Sequence, residues 1–198
     1  MTDAAVDEDG RRQRRARNSD AIVDAMLDLL REGHVQPGAQ RIADRAGVSL
    51  RTVFRHFDDL DALLAIAVAH QSERVWAAFD GHVDVDAPLA ARITSVVDQR
   101  AALYEEIAAT RRAAMRIEPF HPPLRDGLAW SHRRLRRQLA DGFAPELAAR
   151  PTAARRRLLD ALDVAASFAS WDALRTTQAL SVADAKAVVR DLLTALLD

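Results

Sequence analysis

The chain contains no cysteine, so disulfide staples, thiolate metal centres and a cysteine nucleophile are all excluded. Lysine is almost missing as well: Lys186 is the single lysine among 28 basic residues, and nearly all positive charge sits on arginine. A guanidinium matches phosphate and guanine edges bidentately, which an ammonium does not. Long hydrophobic runs are also lacking, and nothing approaches the roughly 20 apolar residues of a membrane span. The acidic opening MTDAAVDEDG has no apolar stretch of the kind that marks a secretory signal, so a cytoplasmic protein is expected. Only seven glycines and seven prolines punctuate the 198 residues, and there is no internal repeat and no alternating run that would make a strand.

Catalytic signatures are scarce too. There is no His-Glu-x-x-His, no Gly-x-Ser-x-Gly and no phosphate-binding glycine loop. A di-iron site in a helical bundle needs two Glu-x-x-His pairs. One occurs, Glu118 to His121, with Pro119 and Pro122 crowding it. The histidines at 34, 56, 70, 82, 121 and 132 are scattered along the chain. No catalytic residue, metal or cofactor is expected, and this disfavours a helical-bundle metalloenzyme, the alternative of another class.

What remains is 49 % apolar and 29 % charged, a composition that folds and stays soluble. The long Ala/Leu/Arg/Asp stretches indicate an all-α protein. The formal charge of −1 conceals an asymmetry. Residues 1–10 carry four acids and no base, whereas residues 11–60 carry ten arginines against six aspartates and one glutamate. A local basic patch in a near-neutral chain is the electrostatic footprint of a polyanion partner.

Residues 2–17 lack apolar periodicity and are expected to form a disordered arm, acidic first and then basic. Asn18 or Ser19 caps a first helix in which Ile22, Ala25, Met26, Leu29 and Leu30 share one face. Gly33 ends it, and Pro37-Gly38 breaks the chain again. A short second helix over 39–46 turns Ile42 and Ala43 inward. Gly47 supplies the turn, Val48 plugs it, and Ser49 caps a third helix over 50–57. Val53 and Phe57 face the core there, which leaves Arg51, Arg55 and Phe54 outside. Asp58 or Asp59 starts a fourth helix with the stripe Leu60, Leu63, Leu64, Ala67, Val68, Gln71 and Val75. Further helices are expected over 89–99, 101–115, 124–143, 153–178 and 182–197, about nine in all.

Two short helices joined by a glycine turn, the second exposing arginines, make a helix-turn-helix that fits the DNA major groove. The residues Ile42-Ala43, Ala46-Gly47-Val48-Ser49, Thr52-Val53-Phe54 and His56-Phe57, followed by a capped helix with Leu63, resemble the N-terminal domain of the tetracycline-repressor (TetR) family of transcriptional regulators. The resemblance covers about residues 19–64. It implies a homodimer that binds a palindromic stretch of double-stranded operator DNA, near the nucleoid, and lets go when a small apolar or aromatic ligand enters the C-terminal domain. A DNA-binding regulator without such an inducer is the alternative.

Carried over by position, Thr52, Phe54 and His56 lie near phosphates, Arg51 and Arg55 face bases or backbone, and Ser49 caps the recognition helix. Arg41 and Leu50 complete the candidate DNA-binding set. The sequence departs from the family pattern at four places. Phe54 replaces the usual Tyr, Leu60 a phosphate-gripping Lys, Arg51 a frequent Gly, and Gly38 a Ser/Thr cap. Whether the Arg11–Arg17 arm touches DNA stays open.

The expected domains are the arm at 1–17, the DNA-binding domain at 18–64 and a ligand-binding and dimerisation domain at 65–198. Leu158, Leu162, Ala165 and Ala169 on one closing helix, with Val189, Leu192, Leu193 and Leu196 on the other, are candidates for a four-helix dimer interface. His70, Trp76, Tyr104, Met115, Trp130, Phe168 and Trp171 are candidates for lining the ligand pocket.

Overall fold

A computed structural model describes the backbone of residues 3–198 and the side chains of residues 12–198. Among these residues the chain is all helical. Its α-helices are α1 (Asp3–Arg31), α2 (Ala39–Ala46), α3 (Leu50–His56), α4 (Leu60–Ala78), α5 (Leu89–Ile117), α6 (Pro122–Gly142), α7 (Ala144–Ala148), α8 (Thr152–Ala165), α9 (Phe168–Asp172) and α10 (Val182–Leu197). A 3₁₀ turn at Glu118–Phe120 precedes α6, and a π-helical turn at Ala173–Thr177 follows α9. No helix among the described residues is long and apolar enough to cross a membrane.

The chain divides into two compact units. Residues up to Glu73 together with Ala109–Arg125 make the first, and Arg74–Ala108 with Asp126–Asp198 the second. The first is therefore not a simple N-terminal segment ending at Leu64. It continues to Glu73 along α4, and the end of α5 returns to it. The reason lies in α4, whose buried residues include Ala67, Val68 and Gln71, and the Thr110 hydroxyl of α5 hydrogen-bonds the Gln71 side chain.

In the first unit α1 buries Ile22, Ala25, Met26, Leu29 and Leu30, the face that the periodicity predicts. It ends as expected on Gly33 in the left-handed region (φ 92°), with Gly33 N–H on Leu30 O and His34 N–H on Leu29 O. Its start differs. Helix runs through Asn18 and Ser19 back to Asp3, where a disordered arm is expected. Residues 1–2 and the side chains up to Arg11 lie outside the described residues. Extending an existing helix avoids the cost of nucleation, and Ala, Arg, Gln and Glu are good helix formers, so no apolar stripe is needed to carry α1 backwards. Asp59 is the acid that caps α4, its Oδ1 accepting Ala62 N–H at 2.7 Å.

The second unit has its core in Ile93, Val96, Val97, Tyr104, Leu139, Phe143, Leu162 and Leu193. Two expected helices, 89–99 and 101–115, are one continuous α5, because nothing between Gln99 and Ala101 breaks a helix. The expected helix over 153–178 is instead interrupted at Ala166. There Ser167 turns extended and accepts Ser170 N–H at 3.1 Å to start α9. The closing helix begins as expected on Ser181, whose Oγ accepts Asp184 N–H and donates to Asp184 Oδ2 at 2.6 Å. Lys186 pairs with Asp98 at 3.1 Å.

The buried ion pair of this unit is Arg92 with Glu146, bidentate at 2.8 and 2.6 Å, and Arg92 also donates to the carbonyls of Ala87 and Gly142. The hydrogen bonds from Arg92 hold the Glu146 carboxyl below the usual carboxylate range. Glu146→Gln leaves the guanidinium charge buried and is expected to cost about 3 kcal/mol in urea denaturation. The contribution is complete above the ordinary carboxylate pKa and fades as the pH falls through the lowered value. A wild-type stability that tracks the variant's across acid pH would remove this assignment.

Candidate nucleic-acid interface

The α2–α3 link is three residues long, and its geometry is fixed by hydrogen bonds. Gly47 takes φ 66°, and its N–H reaches Asp44 O while Val48 N–H reaches Ala43 O at 3.0 Å. This pattern satisfies the last carbonyls of α2, and a side chain at Gly47 would be strained. Ser49 is extended, its Oγ accepting Thr52 N–H at 3.1 Å and sharing a 2.8 Å hydrogen bond with the Thr52 hydroxyl. Gly38, in turn, starts α2 with no side-chain cap.

The two faces of the motif separate as the spacing requires. Ile42, Ala43, Val53 and Phe57 are buried, and Val48 is half-buried rather than a full plug. Arg41, Leu50, Arg51, Phe54 and Arg55 are exposed, Phe54 by 50 %. Half of that aromatic residue is thus left open to solvent on a seven-residue helix.

The arginines are not equivalent. Arg45 makes a bidentate pair with Glu32 at 2.8 and 2.7 Å, clamping α2 to the end of α1. Arg41 donates to His34 Nδ1 at 2.8 Å. Arg51 and Arg55, one turn apart on the outer face of α3, have no intramolecular partner among the described residues. Arg15 of α1 acts electrostatically on His56, so the basic stretch of α1 approaches the end of α3.

Thr52 is half-buried with its hydroxyl engaged by Ser49. His56 is half-buried at the end of α3. Its Nε2 is buried and has no hydrogen-bond partner among the described residues. Leu60, at the position of the phosphate-gripping Lys, lines a cavity of about 60 Å³ with Leu30, Pro37, Leu64 and Ile117.

Solved structures share this architecture. A transcriptional regulator from Rhodococcus sp. Rha1 aligns over 90 % of this chain and 95 % of its own, with a TM-score of 0.68 and 18 % identity. A TetR-family transcriptional regulator from Streptomyces coelicolor aligns over 90 % of this chain and 79 % of its own, with a TM-score of 0.65 and 16 % identity. The chain has the fold of the TetR-family regulators. No protein-family model matches the sequence, and no curated protein matches it. Within that fold, the helix-turn-helix of this chain lies in the first unit, and most of the remaining candidates lie in the second.

The seven pocket candidates are divided between the two units. His70 and Met115 are exposed and lie in the first unit. Trp76 and Trp130 stand edge to face at 5.6 Å, with the Arg134 guanidinium 5.1 and 5.7 Å from their rings, which makes a surface stack. Tyr104, Phe168 and Trp171 form a separate group, Tyr104 and Phe168 at 5.6 Å. Tyr104 and Trp171 line a cavity of about 10 Å³, the room of one water molecule.

The dimer candidates also divide. Leu158, Leu162, Val189 and Leu193 are buried within the chain's own core, and Ala165 and Leu196 are half-buried. Stripes at helical spacing identify an apolar face but not what covers it. Ala169 and Leu192 are exposed, and so is Val164 at 68 %, which the stripe of small residues passed over.

Burial first, and then the charges of Arg55 and Arg15, hold the His56 pKa below the ordinary histidine value. The folded protein therefore resists protonation that the unfolded chain accepts. Stability is full above the unfolded value and is lost as the pH falls below it towards the folded one. Urea titrations between pH 7.5 and 5 (from about one unit above an ordinary histidine to about one and a half below it) should show this loss, and His56→Phe should flatten it. An unchanged slope in the variant would assign the effect to another group.

Proposed function

We propose that this chain is a sequence-specific DNA-binding transcriptional regulator that works as a homodimer. The observation that carries the reading is the outer face of α3, where Arg51, Phe54 and Arg55 stand exposed and without intramolecular partners while their neighbours are tied down. A helix of this length enters the major groove, its arginines reach guanine O6 and N7, and the arm of α1 supplies phosphate contacts. Phe54 packs on the sugar–phosphate edge, where it cannot donate the hydrogen bond of a tyrosine.

Two copies are needed to read a palindrome. Val164 on α8 with Leu192 on α10 are the large apolar side chains left open on those helices, and they support pairing through α8 and α10 with a symmetry mate. Release of operator DNA by a small molecule in the second unit completes the reading, with repression as its default sign.

Fluorescence anisotropy with duplexes from upstream of the chain's own gene, titrated with salt against a scrambled control, tests DNA binding directly. Arg51→Ala and Arg55→Ala should each cost about 1–3 kcal/mol on the preferred duplex and relax specificity. Equal losses on preferred and scrambled duplexes would reduce both residues to phosphate contacts. In sedimentation, Leu192→Asp should turn dimer to monomer and weaken operator binding in step. A variant still dimeric moves the interface away from α10.

A further inference from the structure

Arg100 of α5 is the one arginine whose side chain is 3 % exposed and whose charge meets no acid in the described structure. Its Nε donates to Gln138 Oε1 at 3.1 Å, Nη1 to Ala166 O at 2.7 Å and Nη2 to Leu135 O at 2.6 Å. All three acceptors are neutral. Asp163, the buried carboxylate one turn before Ala166, is taken by Arg136 at 3.2 Å and His132 at 2.8 Å. A guanidinium has five N–H groups and keeps its charge in protein interiors; the Tyr104 hydroxyl takes a further hydrogen bond from it, so one donor and a full positive charge remain. The other buried arginine of this unit, Arg92, has its carboxylate. Leaving a buried charge uncompensated is the costly arrangement.

The same side chain lines the cavity of about 10 Å³, with Val97, Tyr104, Trp171 and Val189 as apolar walls and Ser167 at the rim. Ala166 O already accepts from both Arg100 and the Tyr104 hydroxyl, the latter at 2.8 Å, and has no further capacity. One wall is built differently from the rest. It runs from the α8 break through the five-residue α9 and a π-helical turn to Ala179, a non-glycine residue at φ 53°. Glu105 on α5 ties this wall down by accepting Trp171 Nε1–H and Arg175 Nε–H, both at 2.9 Å. Short irregular helix with a strained end is the kind of segment that moves at low cost.

We propose that Arg100 anchors the carboxylate of a small effector in the second unit, with the effector's apolar body against Val97, Tyr104, Trp171 and Val189, and that the structure is the closed form of this site. The remaining N–H and the guanidinium charge fit a carboxylate, and the ligand supplies the missing counter-charge. Opening swings α9 and the π turn away from α5, exchanging Glu105's hold on Trp171 for the ligand. The proposal rests on the ligand-responsive reading above and names its effector class.

The test is a thermal-shift and calorimetry series on the wild-type full chain, using straight-chain carboxylates from acetate to octanoate and benzoate, each beside its primary amide. Carboxylates of one size range should bind about tenfold or more tighter than their amides, the worth of a charge-assisted hydrogen bond. In ¹⁵N-resolved spectra the Arg100 Nε–H signal should shift with the acid and not with the amide. Arg100→Gln should abolish the preference while salt-titrated operator binding persists. Acids and amides that bind equally, an unmoved Arg100 signal, or no stabilisation by any acid would each overturn the assignment. Operator binding is measured separately, so its absence would count against the regulator reading and leave the carboxylate preference standing or falling by itself.

Discussion

Gly47 must hold a left-handed backbone for three residues to turn the chain from α2 into α3, and the placement of α3 follows from that turn. A seven-residue helix has no stability of its own, since nucleation alone costs more than its few hydrogen bonds return. It persists because Ser49 caps it, Val53 and Phe57 bury one face, and α2 is itself clamped to α1 through Glu32 and Arg45. The outward face is thereby left with no structural duty. Freedom of Arg51 and Arg55 is a product of constraint elsewhere.

The second unit spends the same residue type in the opposite sense. Arg92 is enclosed with Glu146, Arg100 brackets carbonyls of α6 and of the α8 terminus, Arg134 lies over Trp76 and Trp130, and Arg155 closes carbonyls around Leu147. A guanidinium can serve both ways because its planar fork satisfies several acceptors at once while its stem packs like an apolar chain. Composition therefore says nothing about which arginines face solvent. Position relative to a cap or a buried stripe does.

That contrast explains what could be read from the sequence. The caps at Ser49, Asp59 and Ser181, the breaks at Gly33 and Gly47, and the buried faces of α1 and α4 were legible because each depends on neighbours within a few residues. The outward face of α3 followed from the same local pattern. The continuity of α5, the break at Ala166 and the return of α5's end to the first unit were not legible, because they depend on contacts such as Gln71 with Thr110 that join residues far apart in the chain. Aromatic residues gave the weakest signal. They mark burial, yet Trp130 is open while Tyr104 is enclosed, and no spacing tells them apart.

Every cationic side chain in the stretch from Arg11 to Leu60 is a guanidinium, and the sole ammonium side chain, Lys186, sits on α10 in an ion pair with Asp98. Acetyl transfer to lysine, which erases positive charge on many nucleic-acid-binding surfaces, thus has no target on α2 or α3. The charge offered there is permanent, set once by the backbone and the protein's folding rather than adjusted by enzymes that modify amines.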